Sequence, residues 1–148
     1  MPKKYLAVDD GDAFRDILYR TFCDDADILT AKNGQEALAL VKAHCFDIII
    51  TDYNMPVMNG IEFLERARET SSDIYSYSIL LTGSIDEEVR LFSERNGIKL
   101  ILKPFSLFKL KGTVNMLLEG SGGKYQNHPM HIKDPGKGDS HSLPIQMM

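Results

Sequence analysis

The stretch IIITDYNMPVMNG, residues 48–60, decides the fold. Three isoleucines and a threonine run into one aspartate, Asp52, followed by a loop with a Met55-Pro56 step and a closing Gly60. A strand apolar on both faces, here Phe46 to Thr51, is the pattern of a central parallel strand. Carboxylates are rarely buried without a partner. The rest of the chain must supply the reason why this strand ends on an acid.

Outward from that strand, apolar runs alternate with amphipathic stretches. Tyr5 to Val8 reads as a strand, and Ala13 to Phe22 as a helix with Asp12 as its N-cap. Asp27 to Ala31 is a second strand. Gly34 to Ala43 follows as a helix, with Ala37, Leu38 and Val41 at helical spacing. Beyond the Asp52 loop, Ile61 to Arg68 is helical, with Ile61 and Leu64 on one side and Phe63 and Ala67 on the next. Ser78 to Thr82 is a strand, and Ile85 to Arg95 a helix stopped by Asn96-Gly97. Leu100 to Leu102 and Leu107 to Leu118 are the last strand and helix. This alternation implies right-handed crossovers and a doubly wound α/β fold, a five-stranded parallel sheet with helices on both faces. Residues 1–119 make that domain. From Gly120 to Met148 the chain is rich in Gly, Pro, Ser and His without sustained period, and reads as a flexible tail or linker.

The bulk composition removes several classes. The chain has 148 residues, 43% hydrophobic and 26% charged, with no Trp and a net charge of −4. An acidic balance argues against nucleic-acid binding. No apolar run is long enough to span a bilayer. The N-terminus has two lysines but only Tyr5 to Val8 before two acids, so it does not read as a signal peptide. Cys23 and Cys45 are isolated and read as reduced, partly buried thiols of a cytoplasmic protein. His128, His131 and His141 in the tail lack the spacing of a metal site.

Parallel sheets hold ligands outside the carboxyl ends of their strands. The first strand delivers Asp9-Asp10 there, the third Asp52, the fourth Thr82 and Gly83, and the fifth Lys103-Pro104-Phe105. Taken singly, an acid after a strand is more often a cap or turn former. Jointly, three carboxylates, a hydroxyl and one ammonium share a rim. One lysine does not neutralise three acids. A hard divalent cation does, and Mg²⁺ binds one or two carboxylates, waters and a phosphate oxygen. Its free positions suit a phosphoryl group in transfer, and a carboxylate can be the nucleophile that accepts it.

The order Asp9-Asp10, Asp52 within DYNMPVMNG, Thr82-Gly83 and Lys103-Pro104-Phe105 resembles the response-regulator receiver domain of two-component signalling, the CheY-like family, from Lys3 to Glu119. The resemblance implies a (βα)5 flavodoxin-like fold. It implies that Asp52 takes a phosphoryl group from a histidine kinase or phosphotransfer protein, with Mg²⁺ as cofactor and Mn²⁺ as a substitute. Asp10 and Asp52 then ligate the metal directly, Asp9 through water and Asn54 through its backbone carbonyl. Thr82 and Lys103 contact phosphoryl oxygens, and Pro56 and Gly60 shape the loop. Such a chain is no enzyme beyond its own phosphorylation and dephosphorylation. It works in the cytoplasm, off the membrane and without touching nucleic acid, as a monomer or a phosphorylation-dependent dimer that signals to an output partner.

Two departures stand out. Leu100 replaces an aromatic that family members often carry three positions before the lysine, which implies a more modest change on the face of the fourth helix, fifth strand and fifth helix. Gly11 stands where many relatives carry a larger residue, which leaves the pocket more open. Competing classes fit worse. Haloacid-dehalogenase-like phosphatases need an acid two residues after the nucleophile, where this chain has Asn54. Neither dinucleotide nor P-loop glycine motifs follow the first strand. A receiver-like fold used purely for docking has no need of three crowded acids.

Overall fold

Why does the Asp52 strand sit where it can present an acid? The computed structural model describes residues 2–126, which divide after Lys103 into two units. In the first, β1 (Lys3–Val8), α1 (Asp12–Phe22), β2 (Ala26–Ala31), α2 (Gly34–Ala43) and β3 (Ile48–Asp52) are followed by α3 (Gly60–Ala67). A 3-10 turn (Ile74–Tyr77), β4 (Ser78–Thr82), α4 (Glu87–Asn96) and β5 (Lys99–Leu102) complete it. The second contains α5 (Leu107–Gln126), on which Leu110 and Val114 are buried.

The five strands form one parallel sheet in the order β2-β1-β3-β4-β5. With five helices this is the doubly wound (βα)5 flavodoxin-like arrangement. Strand order reverses at β1, so right-handed crossovers send α1 to one face and α2 to α4 to the other. α1 packs on β1 and β2, and α2 packs against α3. β3 is central, and all five of its residues are buried. Leu6, Ile49, Phe63, Leu64, Ile74 and Leu80 anchor the core between sheet and helices. Register pairs Val8 with Thr51, Asp52 with Leu81, and Thr82 with Leu102, so the functional ends share one rim. The crevice at β1 and β3 is the topological switch point, where such sheets bind ligands.

Several local expectations need correction. Asp12 is the first helical residue of α1; the N-cap is Gly11, extended at φ −94° and without a side-chain cap. The Asp12 carboxylate is taken by an ion pair with Arg15 instead. Cys23 and Cys45 are both exposed, not partly buried, because each lies just beyond a helix end, outside the packed faces. The 3-10 turn at Ile74–Tyr77 has too few residues to show a period. Strand and helix limits move by one or two residues elsewhere. Gly97 does end α4, in the left-handed region at φ +68°. α5 continues past Gly120 to Gln126, while the three tail histidines lie outside the described residues.

Candidate functional site

Asp9, Asp10 and Asp52 bring one carboxylate oxygen each to within 4.8 Å of one another. Asp9 follows β1 directly, and Asp52 is the last residue of β3. These two are 4% and 5% exposed, whereas Asp10 faces solvent. Lys103, the first residue after β5, places its Nζ 2.8 Å from Asp52 Oδ1 and 3.7 Å from Asp9 Oδ2. The four residues expected to converge from β1, β3 and β5 therefore do so.

The Asp9 end is tied down by backbone and arginine. Its N–H donates to Ala31 O at 3.1 Å, its carbonyl accepts from Arg15 Nη1 at 2.8 Å, and its Oδ1 accepts from the Gly11 N–H at 2.8 Å. Oδ2 is buried and has no hydrogen bond among the described residues. Burial is the main cause pushing the Asp52 carboxyl above its ordinary range. The Lys103 ammonium opposes it, and the charges of Asp9 and Asp10 add to it. One ammonium against three carboxylates leaves excess negative charge with a buried oxygen that lacks a donor. Oxygen-only donors, crowded and anionic, fit a hard divalent cation.

Thr82 ends β4 and is fully buried; its hydroxyl donates to Ser84 O at 2.8 Å. The Lys103 N–H donates to Thr82 O at 2.7 Å, which joins the β4 and β5 ends through backbone. Asn54 is exposed in the loop after Asp52. Two features shape that loop. A Cβ on Gly60 would run into the carbonyl oxygen of Asp52 and lie 2.8 Å from Leu80 Cδ1 and 3.0 Å from Tyr53 Cα. No other residue fits there without moving the Asp52 strand. Val57 is 90% exposed with φ +72°, a left-handed conformation that a β-branched residue adopts only under strain.

Three contributors escaped the sequence reading. Phe14, in the first turn of α1, lies with its ring centroid 5.1 Å from Lys103 Nζ. Arg15 braces Asp9. Tyr53, next to Asp52, donates its hydroxyl to Glu88 on α4 at 3.2 Å; burial first, then Glu88, raises the pKa of that phenol. Phe14 and Arg15 were findable as the first-turn residues of a helix that begins at the rim. The Tyr53–Glu88 link joins residues 35 apart and leaves no local signal.

Residues 5–115 match the response regulator receiver domain family. The chain belongs to that family, the receiver domains of two-component response regulators. It is 33% identical over 107 residues to a response regulator receiver protein of Anaeromyxobacter, covering 71% of this chain and 44% of that one. The hydrogenase transcriptional regulatory protein HoxA of Cupriavidus necator is 31% identical over 130 residues, 86% of this chain but 27% of the relative. This chain thus spans less than half of either. Chemotaxis protein CheY-3 of Vibrio cholerae is 29% identical over 119 residues, 78% of this chain and 92% of its own. Among solved structures, chemotaxis protein CheY4 of Vibrio cholerae superposes with a TM-score of 0.71 at 34% identity, covering 80% of this chain and all of that one (100%). A CheY-like receiver domain from Methanospirillum hungatei gives 0.77 at 25% identity, covering 84% and 99%. No helix among the described residues is long and apolar enough to cross a membrane.

Proposed function

We propose that the chain is a phospho-acceptor receiver, taking a phosphoryl group onto Asp52 from a phosphohistidine of a histidine kinase or phosphotransfer protein, or from a small acyl phosphate. The observation that carries this reading is the cluster of three carboxylates within 4.8 Å, faced by one lysine, at the carboxyl ends of the strands. An Asp52 carboxylate oxygen attacks phosphorus as the bond to the donor nitrogen or acyl oxygen breaks, and the leaving group carries away that bond's electron pair. Asp10, Asp52 and the Asn54 carbonyl would hold Mg²⁺ or Mn²⁺, with Asp9 acting through water. When bound, the cation neutralises charge on the acids and on the transferring group. Lys103 carries its ammonium at the acceptor oxygen and screens the incoming dianion.

Thr82 supplies the readout. A threonine hydroxyl has one proton to donate, and here Ser84 O receives it. Donation to a phosphoryl oxygen leaves the Ser84 carbonyl without that partner, so the loop from Gly83 to Asp86 is released as the phosphoryl group is bound. The receiver unit runs to Glu119, and the stretch from Gly120 serves as linker or docking tail. Cytoplasmic work with an output partner, as a monomer or a phosphorylation-dependent dimer, accords with this reading, as does the absence of catalysis beyond its own phosphorylation cycle.

Incubation with acetyl phosphate and Mg²⁺ tests the assignment. One modification labile to base and to hydroxylamine, as an acyl phosphate is, is expected; it should not form when a chelator is present from the start, nor in Asp52→Asn. Equal labelling of Asp52→Asn and parent would remove Asp52 from the role.

A further inference from the structure

Lys103 must reach far. It leaves the end of β5, and β4 lies between β5 and the Asp52 strand, so the gap of two strand spacings, roughly 10 Å, is closed by the lysine stem and the Asp52 side chain together. A lysine is a flexible stem with a point charge at its end, and the side chain is about one-third exposed. Two of its contacts at the tip are carboxylates, Asp52 at 2.8 Å and Asp9 at 3.7 Å. Both belong to the acid cluster that suits a cation. A cation there competes with the ammonium for the same oxygens. The third contact does not compete: the Phe14 ring, 5.1 Å from centroid to Nζ, within the range of a cation–π interaction. Phe14 sits in the first turn of α1, whose start is fixed by Arg15 and Gly11 holding Asp9. The ring is thus carried by a helix whose start is tied to Asp9.

We propose that Phe14 is a positioning residue: its ring face holds the Lys103 ammonium over Asp52 when the carboxylates are engaged elsewhere. The inference rests on the phospho-acceptor reading for its effect on rate, but not for the contact itself.

Phe14→Leu keeps apolar bulk and removes the ring, Phe14→Tyr keeps the face, and fluorinated phenylalanines at position 14 keep the shape while weakening the face. Labelling by acetyl phosphate at saturating Mg²⁺ is expected to slow about 2- to 5-fold in Phe14→Leu, the size of a partly exposed cation–π contact. It should recover in Phe14→Tyr and fall stepwise with fluorination. In a Lys103→Gln background, Phe14→Leu should add nothing. In metal-free protein the Lys103 Cε protons should show an upfield ring-current shift that Phe14→Leu abolishes. A purely space-filling Phe14 would be insensitive to fluorination and cost the same with or without Lys103; either result overturns the proposal. Absence of the ring-current shift also overturns it, even if labelling is normal. Failure of the parent to be labelled at all would instead sink the phospho-acceptor reading, leaving the proton shifts to judge Phe14.

Discussion

Two of the helices that leave the site, α3 and α4, are held very differently. α3 follows the Asp52 loop and buries Gly60, Ile61, Phe63, Leu64 and Ala67 out of eight residues. Its start is a reciprocal capping box between Asn59 and Glu62, each side chain bonded to the other's backbone N–H at 2.9 Å. α4 follows Thr82 and buries only Val89 and Ser93 out of ten. The Ser93 hydroxyl is buried and without a hydrogen bond among the described residues, and the loop from Gly83 to Asp86 is exposed throughout. Elements with few buried apolar contacts open at low free-energy cost. Asp52 therefore stands on a fixed floor, while the Thr82 hydroxyl leads into a loosely held helix.

The strongest blow to the fixed side is Gly60→Ala. Its Cβ meets the Asp52 carbonyl, which is backbone and cannot swing aside. Overpacking of this kind costs about 2–3 kcal/mol, and it displaces Asp52, so labelling should fall along with stability in denaturant titration. A variant as stable as the parent would mean that α3 is not pinned beneath Asp52.

Asp52→Asn probes the charge that this floor carries. The native Asp52 pKa is raised, chiefly by burial, so the folded state holds its proton to higher pH than the unfolded chain. The stability linked to that proton is fully present below the unfolded pKa and is lost as pH rises through the raised native value. The neutral amide escapes that loss. In metal-free buffer Asp52→Asn should melt higher than the parent at neutral pH, by about 4 °C for each 1 kcal/mol. The gap should close on acidification below the native Asp52 pKa. Added Mg²⁺ should narrow it as well, because a ligand that binds the folded parent stabilises it. A gap independent of pH would show that charge is not its source.

On the loose side, Ser93→Ala should be neutral or stabilising, by up to about 1 kcal/mol, since it deletes a buried hydroxyl that has no partner. Native-state hydrogen exchange should show slower opening of α4 in this variant, with α3 unchanged. A clear destabilisation would mean that the hydroxyl is satisfied and that α4 is better anchored than its burial indicates.

The contrast between the helices also marks what the sequence could and could not reveal. Ile48 to Ile50, the Asn96-Gly97 stop and the acids at strand ends are local patterns, and each led to the right element or rim. Helical limits were off where a cap was judged by residue type alone: Asp12 is a good capping residue, but its carboxylate is taken by Arg15. The 3-10 turn was missed because a four-residue element with one buried side chain has no period to detect. The site's charged members were legible because their spacing follows the strands. The contact of Phe14 with Lys103 and the Tyr53–Glu88 bond were not, because they arise only when separate elements pack. Even the weakness of α4 was partly visible, since Glu87 to Asn96 is mostly polar, but Ser93 facing inward was not.

The smallest effect concerns how far the loose side moves. Leu100 is half-buried on β5 and has no polar tip, so it has little to gain by changing places when Thr82 turns toward a phosphoryl oxygen. A ligand shifts a conformational equilibrium only by its differential affinity for the two states, and β5 offers little difference. The Gly83–Asp86 loop offers more, because Ser84 loses the Thr82 hydroxyl. α4 begins at its end and is tied back to the loop after Asp52 by the Tyr53–Glu88 bond. Beryllofluoride with Mg²⁺ should therefore move backbone amide resonances most at residues 53–60 and 83–90, and least at 98–102. Tyr53→Phe removes one partly exposed hydrogen bond, worth at most about 1 kcal/mol. It should alter the response of residues 87–90 while leaving 83–86 as in the parent. Shifts across Lys99–Leu102 as large as those at 83–86 would show that β5 switches despite Leu100. An unchanged response at 87–90 in Tyr53→Phe would show that α4 follows its loop alone, with the tyrosine a bystander.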